Sequence, residues 1–142
     1  MMKYIIYASL YEEIDAGWVW MSQPQQLPSR CVVAIRNRNT GKRVFCEALH
    51  IDSNFTERYN EGRHRHKLDP DGTSLVINAW YRKRLGDIRN QSKQDLYITA
   101  EDNSYGKLRA CLQHPQVAIR MGTWLGIISL GLGVLGVILA MI

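Results

Sequence analysis

Cys31-Val-Val-Ala-Ile-Arg36 and Lys42-Arg-Val-Phe-Cys-Glu-Ala-Leu49 are two strand-like runs separated only by Asn37-Arg-Asn-Thr-Gly41. Both runs are rich in strand-forming residues, and Gly41 can take the positive φ that a bulged hairpin turn requires. The segment therefore reads as a β-hairpin. Toward the amino terminus, Lys3 to Tyr11 alternates weakly and is rich in tyrosine and isoleucine, and Ala16 to Met21 reads as a second strand or a bulged continuation. The tyrosines and tryptophans here, Tyr4, Tyr7, Tyr11, Trp18 and Trp20, are expected to furnish core, the alternative being that they line a ligand pocket. Gln23 to Ser29, with Pro24 and Pro28, is a loop.

Beyond the hairpin, Asp52 to Asn60 reads as a capped helical turn and Glu61 to Thr73 as a long polar loop. Ser74 to Asn78 is a short buried strand ending at an asparagine able to cap a helix, Ala79 to Leu85, which Gly86 closes. Gln94 to Ala100 alternates as another strand. Tyr105 to Arg120 is a connector or helix broken at Pro115. The expected fold class is mainly β, a small barrel-like domain with short helices, plus one C-terminal transmembrane α-helix.

The last 22 residues, Met121 to Ile142, carry no charge. As a helix at ~1.5 Å per residue they would reach roughly 33 Å, close to a hydrocarbon core of about 30 Å. The sequence predicts a tail-anchored protein with a soluble cytoplasmic recognition domain over 1–104, a connector over 105–120 and the span over 121–142. Arg120 marks the headgroup boundary, and with Lys107 and Arg109 it favours a cytoplasmic amino-terminal domain. Inside the span, Gly122, Gly126, Ser129, Gly133, Gly136 and Ala140 recur at alternating spacings of four and three, so small residues share one face. Backbones can approach closely there, which predicts a homo-oligomerising helix in the lipid bilayer.

Every charged residue lies before the span, so the formal net charge of +5 belongs to the soluble part. A basic domain held at a membrane suits anionic headgroups first, then a phosphate-bearing ligand, a cytosolic protein or nucleic acid. His64 and His66 in Glu61-Gly-Arg-His-Arg-His-Lys67 form an H-x-H pair, but Arg63, Arg65 and Lys67 repel a cation and no third ligand is near in sequence. Arg63, His64, Arg65, His66 and Lys67 are therefore candidates for an anion rather than a metal, the plainer reading being a solvated basic loop. In Trp80-Tyr-Arg-Lys-Arg84 the cations Arg82, Lys83 and Arg84 interleave with aromatics, a candidate nucleic-acid or headgroup contact. The blander alternative has Trp80 and Leu85 packing inward and the three cations meeting water. Cys31, Cys46 and Cys111 have neither metal spacing nor a disulfide framework and read as reduced thiols. No P-loop, HExxH, GxGxxG or CxxC occurs, and Asp69-Pro-Asp71-Gly has the composition of an ordinary turn, so no enzyme and no cofactor is expected.

The run Leu75-Val-Ile-Asn-Ala-Trp-Tyr-Arg-Lys-Arg-Leu-Gly86, followed by a loop and Asp95-Leu-Tyr-Ile-Thr99, resembles the strand, short helix, Leu-Gly, strand unit of double-psi and swapped-hairpin β-barrels. AbrB-type transcription factors and the substrate-recruiting amino-terminal domains of some AAA ATPases belong to that class. The resemblance covers Ser29 to Ala100. It departs where Ser92-Lys-Gln-Asp95 replaces the usual Gly-Asp turn before the last strand. It implies a barrel, and no active site is carried over from it, because fold alone does not give function. A recognition domain followed by a bare membrane helix is similar in arrangement to bacterial antiphage membrane effectors, so the expected function is an oligomerising, membrane-disrupting effector in antiviral defence. The alternative is a membrane-tethered adaptor that recruits a protein, such as an ATPase, or nucleic acid.

Overall fold

A computed structural model of the chain describes residues 2–22, 27–62, 66–69 and 73–142. Six strands, β1 (Lys3–Ala8), β2 (Trp18–Met21), β3 (Arg30–Asn37), β4 (Arg43–His50), β5 (Ser74–Ile77) and β6 (Lys93–Ala100), close into a barrel. The order around the ring is β1-β5-β2-β4-β3-β6, and β6 returns to pair with β1. β1 runs parallel to β5 and β2 parallel to β4, while the other four pairings are antiparallel. Exchanging β1 with β4, β2 with β5 and β3 with β6 leaves this set of neighbours unchanged. The barrel is thus two similar three-strand halves threaded through each other, joined by the β3–β4 hairpin.

Alternation decides what fills the barrel, because successive strand side chains point to opposite faces. Tyr4 and Ile6, Val19 and Met21, Val33 and Ile35, Val44 and Cys46, Leu75 and Ile77, and Leu96 and Ile98 all join one buried interior cluster. The outer face is covered in two places. α1 (Ser53–Asn60) lays Phe55 and Tyr59 over Tyr7, Leu10 and Val76, and Phe55 stacks on Trp20 with ring centres 4.2 Å apart. α3 (Ser104–Leu112) packs against β3 and β4, with Tyr105 edge-on to Phe45. Its first turn lies so close to the end of β6 that a Cβ on Gly106 would collide with the Glu101 carbonyl. Only glycine fits there.

α2 (Ala79–Arg84) is fixed at both ends by buried asparagines. Asn78 accepts a hydrogen bond from the Tyr81 amide at 3.1 Å and donates to the Ala16 carbonyl at 2.9 Å. At the other end the Leu85 carbonyl accepts from Asn37 and from Thr40, both at 2.9 Å. The hairpin turn therefore holds the helix that drops Tyr81 and Leu85 into the barrel interior. Gly41 has φ +72°, as the hairpin reading required.

The sequence reading is corrected at three points, the first being that Trp18, expected in the core, is only half-buried. β1 stops at Ala8, and Tyr11 is 81% exposed at the start of a 3-10 turn, Tyr11–Glu13. The chain has to reverse there to bring β2 alongside β4, and Glu13 stabilises the reversal by accepting from the Trp20 indole at 2.9 Å. In the α2 segment the fully buried aromatic is Tyr81, whereas Trp80 is only half-buried.

α2 supplies a pair of substitutions with opposite expected signs. Asn78→Ala deletes a helix cap and orphans a buried carbonyl, so urea unfolding should show a loss of about 1–3 kcal/mol. Tyr81→Phe removes a buried hydroxyl that has no hydrogen-bond partner among the described residues. It should be neutral or stabilising, because nothing is left unpaired.

Candidate functional site: the junction between barrel and apolar helix

Pro115 sets where the junction falls. It lacks an amide hydrogen and cannot continue α3, so the chain breaks over His114-Pro115-Gln116 and restarts as α4 (Val117–Met141). The break is bonded to the barrel. Gln113, the buried last residue of the turn closing α3, accepts from the Phe45 amide at 2.8 Å through its side chain. Its main-chain carbonyl accepts from the Trp80 indole, also at 2.8 Å.

Arg120, in the first turn of α4, folds back over the Trp80 ring at 4.5 Å. Its guanidinium donates to the carbonyls of His114 and Pro115. Arg84 lies over the same ring at 5.3 Å. Each such stack contributes about 0.5–2 kcal/mol, depending on how dry it is. The apolar helix is thus hinged at Pro115 and latched at Arg120.

His114 sits between these groups. Its ring lies where a Cβ of Gly17 would be, 2.4 Å from Nε2, so position 17 must be glycine for the ring to seat. Nδ1 accepts from the Gln116 amide at 3.0 Å, which requires the neutral imidazole. Burial lowers its pKa below the ordinary 6.5, and the Arg120 charge lowers it further, while Asp15 and Glu47 oppose the shift.

Beside the junction, α3 and strands β2, β3 and β4 enclose an open cavity of about 410 Å³. Trp18, Cys31, Cys111 and His114 line it, and the ion pairs Arg30–Glu47 and Lys107–Asp102 stand at its edge. Among the described residues no three of His, Cys, Asp or Glu converge as a metal site. Burial pushes the Cys31 thiol up, with Asp102 adding to the effect, so it is a poor nucleophile. The Cys46 thiol is also buried and raised, chiefly by desolvation, whereas Cys111 is exposed.

The described residues among those singled out from the sequence fall in separate places. Gly122, Gly126, Ser129, Gly133, Gly136 and Ala140 all lie on α4, where a Cβ added to any of the four glycines would meet nothing within 4 Å. Arg63, His64 and Arg65 lie outside the described residues, and His66 and Lys67 are exposed. The Arg82, Lys83, Arg84 triad is divided between two surfaces. Arg84 joins the Trp80 stack, whereas Arg82 and Lys83 border a separate hollow with Asp87 and Arg89. Arg82 is half-buried and its Nε has no partner among the described residues, so it does not simply meet water. The role of Trp80 as the seat of the latch was not legible, because its partners Gln113 and Arg120 are more than 30 positions away.

α4 is the one helix among the described residues that is long and apolar enough to cross a membrane, and none of its side chains is buried. The class defined by this architecture is a closed six-stranded β-barrel joined through an ordered junction to a candidate membrane span. No known protein family and no curated protein matches the chain. Among solved structures it is similar to the crystal structure of the rationally designed mkDPBB_sym2 protein. The two share 10% sequence identity over 69% of this chain and 98% of that one, with a TM-score of 0.49.

The latch should weaken in acid. His114 has a lower pKa folded than unfolded, so the folded state binds fewer protons and its contribution is present above pH 6.5 and lost as pH falls below it. Thermal unfolding of the full chain in detergent should show a midpoint that drops in that window, and His114→Gln should flatten the drop. An unchanged profile in the variant would assign the pH dependence elsewhere.

Proposed function

We propose that the chain is a membrane-anchored effector. In this reading the barrel stands in the cytoplasm and recognises a partner or ligand, α4 spans the bilayer, and recognition drives spans to assemble and disrupt the membrane. The observation that carries the reading is the junction. A tether needs only a flexible link, yet here Gln113, Trp80 and Arg120 bond the first turn of α4 to the barrel. A rotation or displacement of α3 is then passed to the span and not absorbed by a linker.

Three further features support it. At ~1.5 Å per residue the 25 residues of α4 reach roughly 37 Å, enough to cross about 30 Å of hydrocarbon with some tilt. Among the described residues nothing occupies its small-residue face, which leaves it available to a second copy. Lys107, Arg109 and Arg120 on the barrel side favour a cytoplasmic barrel. Bacterial antiviral defence is the setting suggested by the similarity in arrangement to antiphage membrane effectors.

Expression of the full chain should leave it in the membrane after alkaline carbonate extraction and should depolarise the host, whereas residues 1–116 should be soluble and harmless. Gly133→Leu separates helices that approach closely, so it should still reach the membrane but lose both crosslinked oligomers and toxicity. Full-length protein that accumulates harmlessly as a monomer in the membrane would point to a tethered adaptor instead.

A further inference from the structure

The mouth of the β3–β4 hairpin breaks a rule of sheet electrostatics. Arg36 of β3 pairs directly with Arg43 of β4 in the antiparallel register, and like charges placed opposite each other destabilise a sheet. A third guanidinium joins them from α3. Arg43 and Arg109 both lie over the buried Phe45 ring, at 5.0 and 5.2 Å, and Arg109 also lies over Tyr105 at 5.8 Å. Among the described residues none of these three arginines has a carboxylate within ion-pair distance.

These side chains line one hollow of about 460 Å³, whose remaining lining is Gly41. A second hollow of about 290 Å³, bounded by Arg38 and the half-exposed Tyr97, shares Arg36 with it. Stacking on Phe45 explains why Arg43 and Arg109 are where they are. It does not explain Arg36, an exposed residue facing a like charge.

We propose that Arg36, Arg43 and Arg109 form a binding site for an anion carrying two or more phosphate groups. The charge argument selects that class. Three cations around one small hollow call for a comparable negative charge, which a single carboxylate or monophosphate does not supply and a diphosphate does. Guanidinium forks match the paired oxygens of a phosphate, and two of the forks are already held by aromatic packing, so little side-chain freedom is lost on binding. The same chemistry is offered by a soluble polyphosphate and by a phosphorylated lipid headgroup. The site stands on the barrel and α3 and does not depend on whether α4 crosses a bilayer.

The test is calorimetric titration of the full chain in nonionic detergent with two probes, inorganic pyrophosphate and a short-chain phosphatidylinositol bisphosphate. At least one should bind saturably and more weakly as salt rises. Arg36→Gln and Arg109→Gln should each weaken binding at least tenfold, whereas Lys42→Gln should change it less than twofold. Lys42 makes the matched control because it carries the same charge on the same hairpin but does not line the hollow. Preference for one probe, with the same arginine dependence, identifies the source of the phosphate. Arg109→Gln removes ring contacts, so Arg36→Gln is the decisive variant, and its thermal midpoint should hold or rise because a like-charge pair is gone. The proposal is overturned if neither probe binds, if Lys42→Gln weakens binding as much as Arg36→Gln, or if Arg36→Gln lowers the midpoint.

Discussion

Closure of the sheet is the constraint on which the rest depends. β1 finds neither of its partners nearby in sequence: it pairs with β5 and β6, some 70 and 90 positions along the chain. Until both pairings form, the interior residues Tyr4, Ile6, Leu75, Ile77, Leu96 and Ile98 have no common core to enter. Once they form, the ring leaves no free edge, which removes the site at which sheets aggregate. The hairpin β3–β4 is the local exception, since its strands meet across a short turn. It is the natural place for pairing to begin, because its loop-closure entropy is smallest.

The same hairpin then organises what lies outside the ring. Through Asn37 and Thr40 it holds the end of α2, and through Phe45 it receives both the Gln113 hydrogen bond and the Tyr105 and Arg109 rings and charges of α3. α2 in turn presents Trp80 to Gln113 and Arg120. One supersecondary unit therefore connects the barrel interior to the first turn of the apolar helix. Gln113 and Gly17 are small in extent but sit where alternatives fail. A side chain at 113 without an acceptor in reach would leave the Phe45 amide unpaired in a buried place, and a larger residue at 17 would displace His114.

Period and punctuation made much of this fold legible. The hairpin turn at Gly41, the caps at Asp52 and Asn78 and the break at Pro115 are each read from a few adjacent residues and lie where expected, whereas the apolar helix begins at Val117, four residues before the uncharged run from Met121. What escaped were relations between distant segments. Nothing local says that Tyr81 rather than Trp80 faces the interior, since both are aromatic and adjacent, and only the packing of α2 against the barrel decides it. Tyr11 looked like the continuation of an alternating strand, but the parallel placement of β2 beside β4 requires a reversal first. The arginine hollow was invisible for the same reason. Arg36 and Arg43 become neighbours only when the register is known, and Arg109 joins them only when α3 lies across β4.

Arg109 and Gln113 lie four positions apart on the segment that forms and closes α3, which puts them on the same side of it. One faces the arginine hollow and the other bonds the Phe45 amide, so the two share Phe45 as a common support. An anion bound at Arg36, Arg43 and Arg109 would draw on α3, whose closing residue Gln113 bonds to Trp80, the seat of the latch. It can shift the junction only by as much as it binds one arrangement of α3 better than another. Moving a latch from almost always closed to almost always open takes a differential of about 5.5 kcal/mol. Three charge-assisted contacts of about 1.5–3 kcal/mol each can reach that figure only if most of them exist in one arrangement and not the other. The coupling is thereby confined to Arg109, the member of the hollow that α3 itself carries, since Arg36 and Arg43 are fixed by the barrel register. A smaller bias, one contact's worth, would still be amplified where spans assemble, because each copy contributes its own share to the same equilibrium.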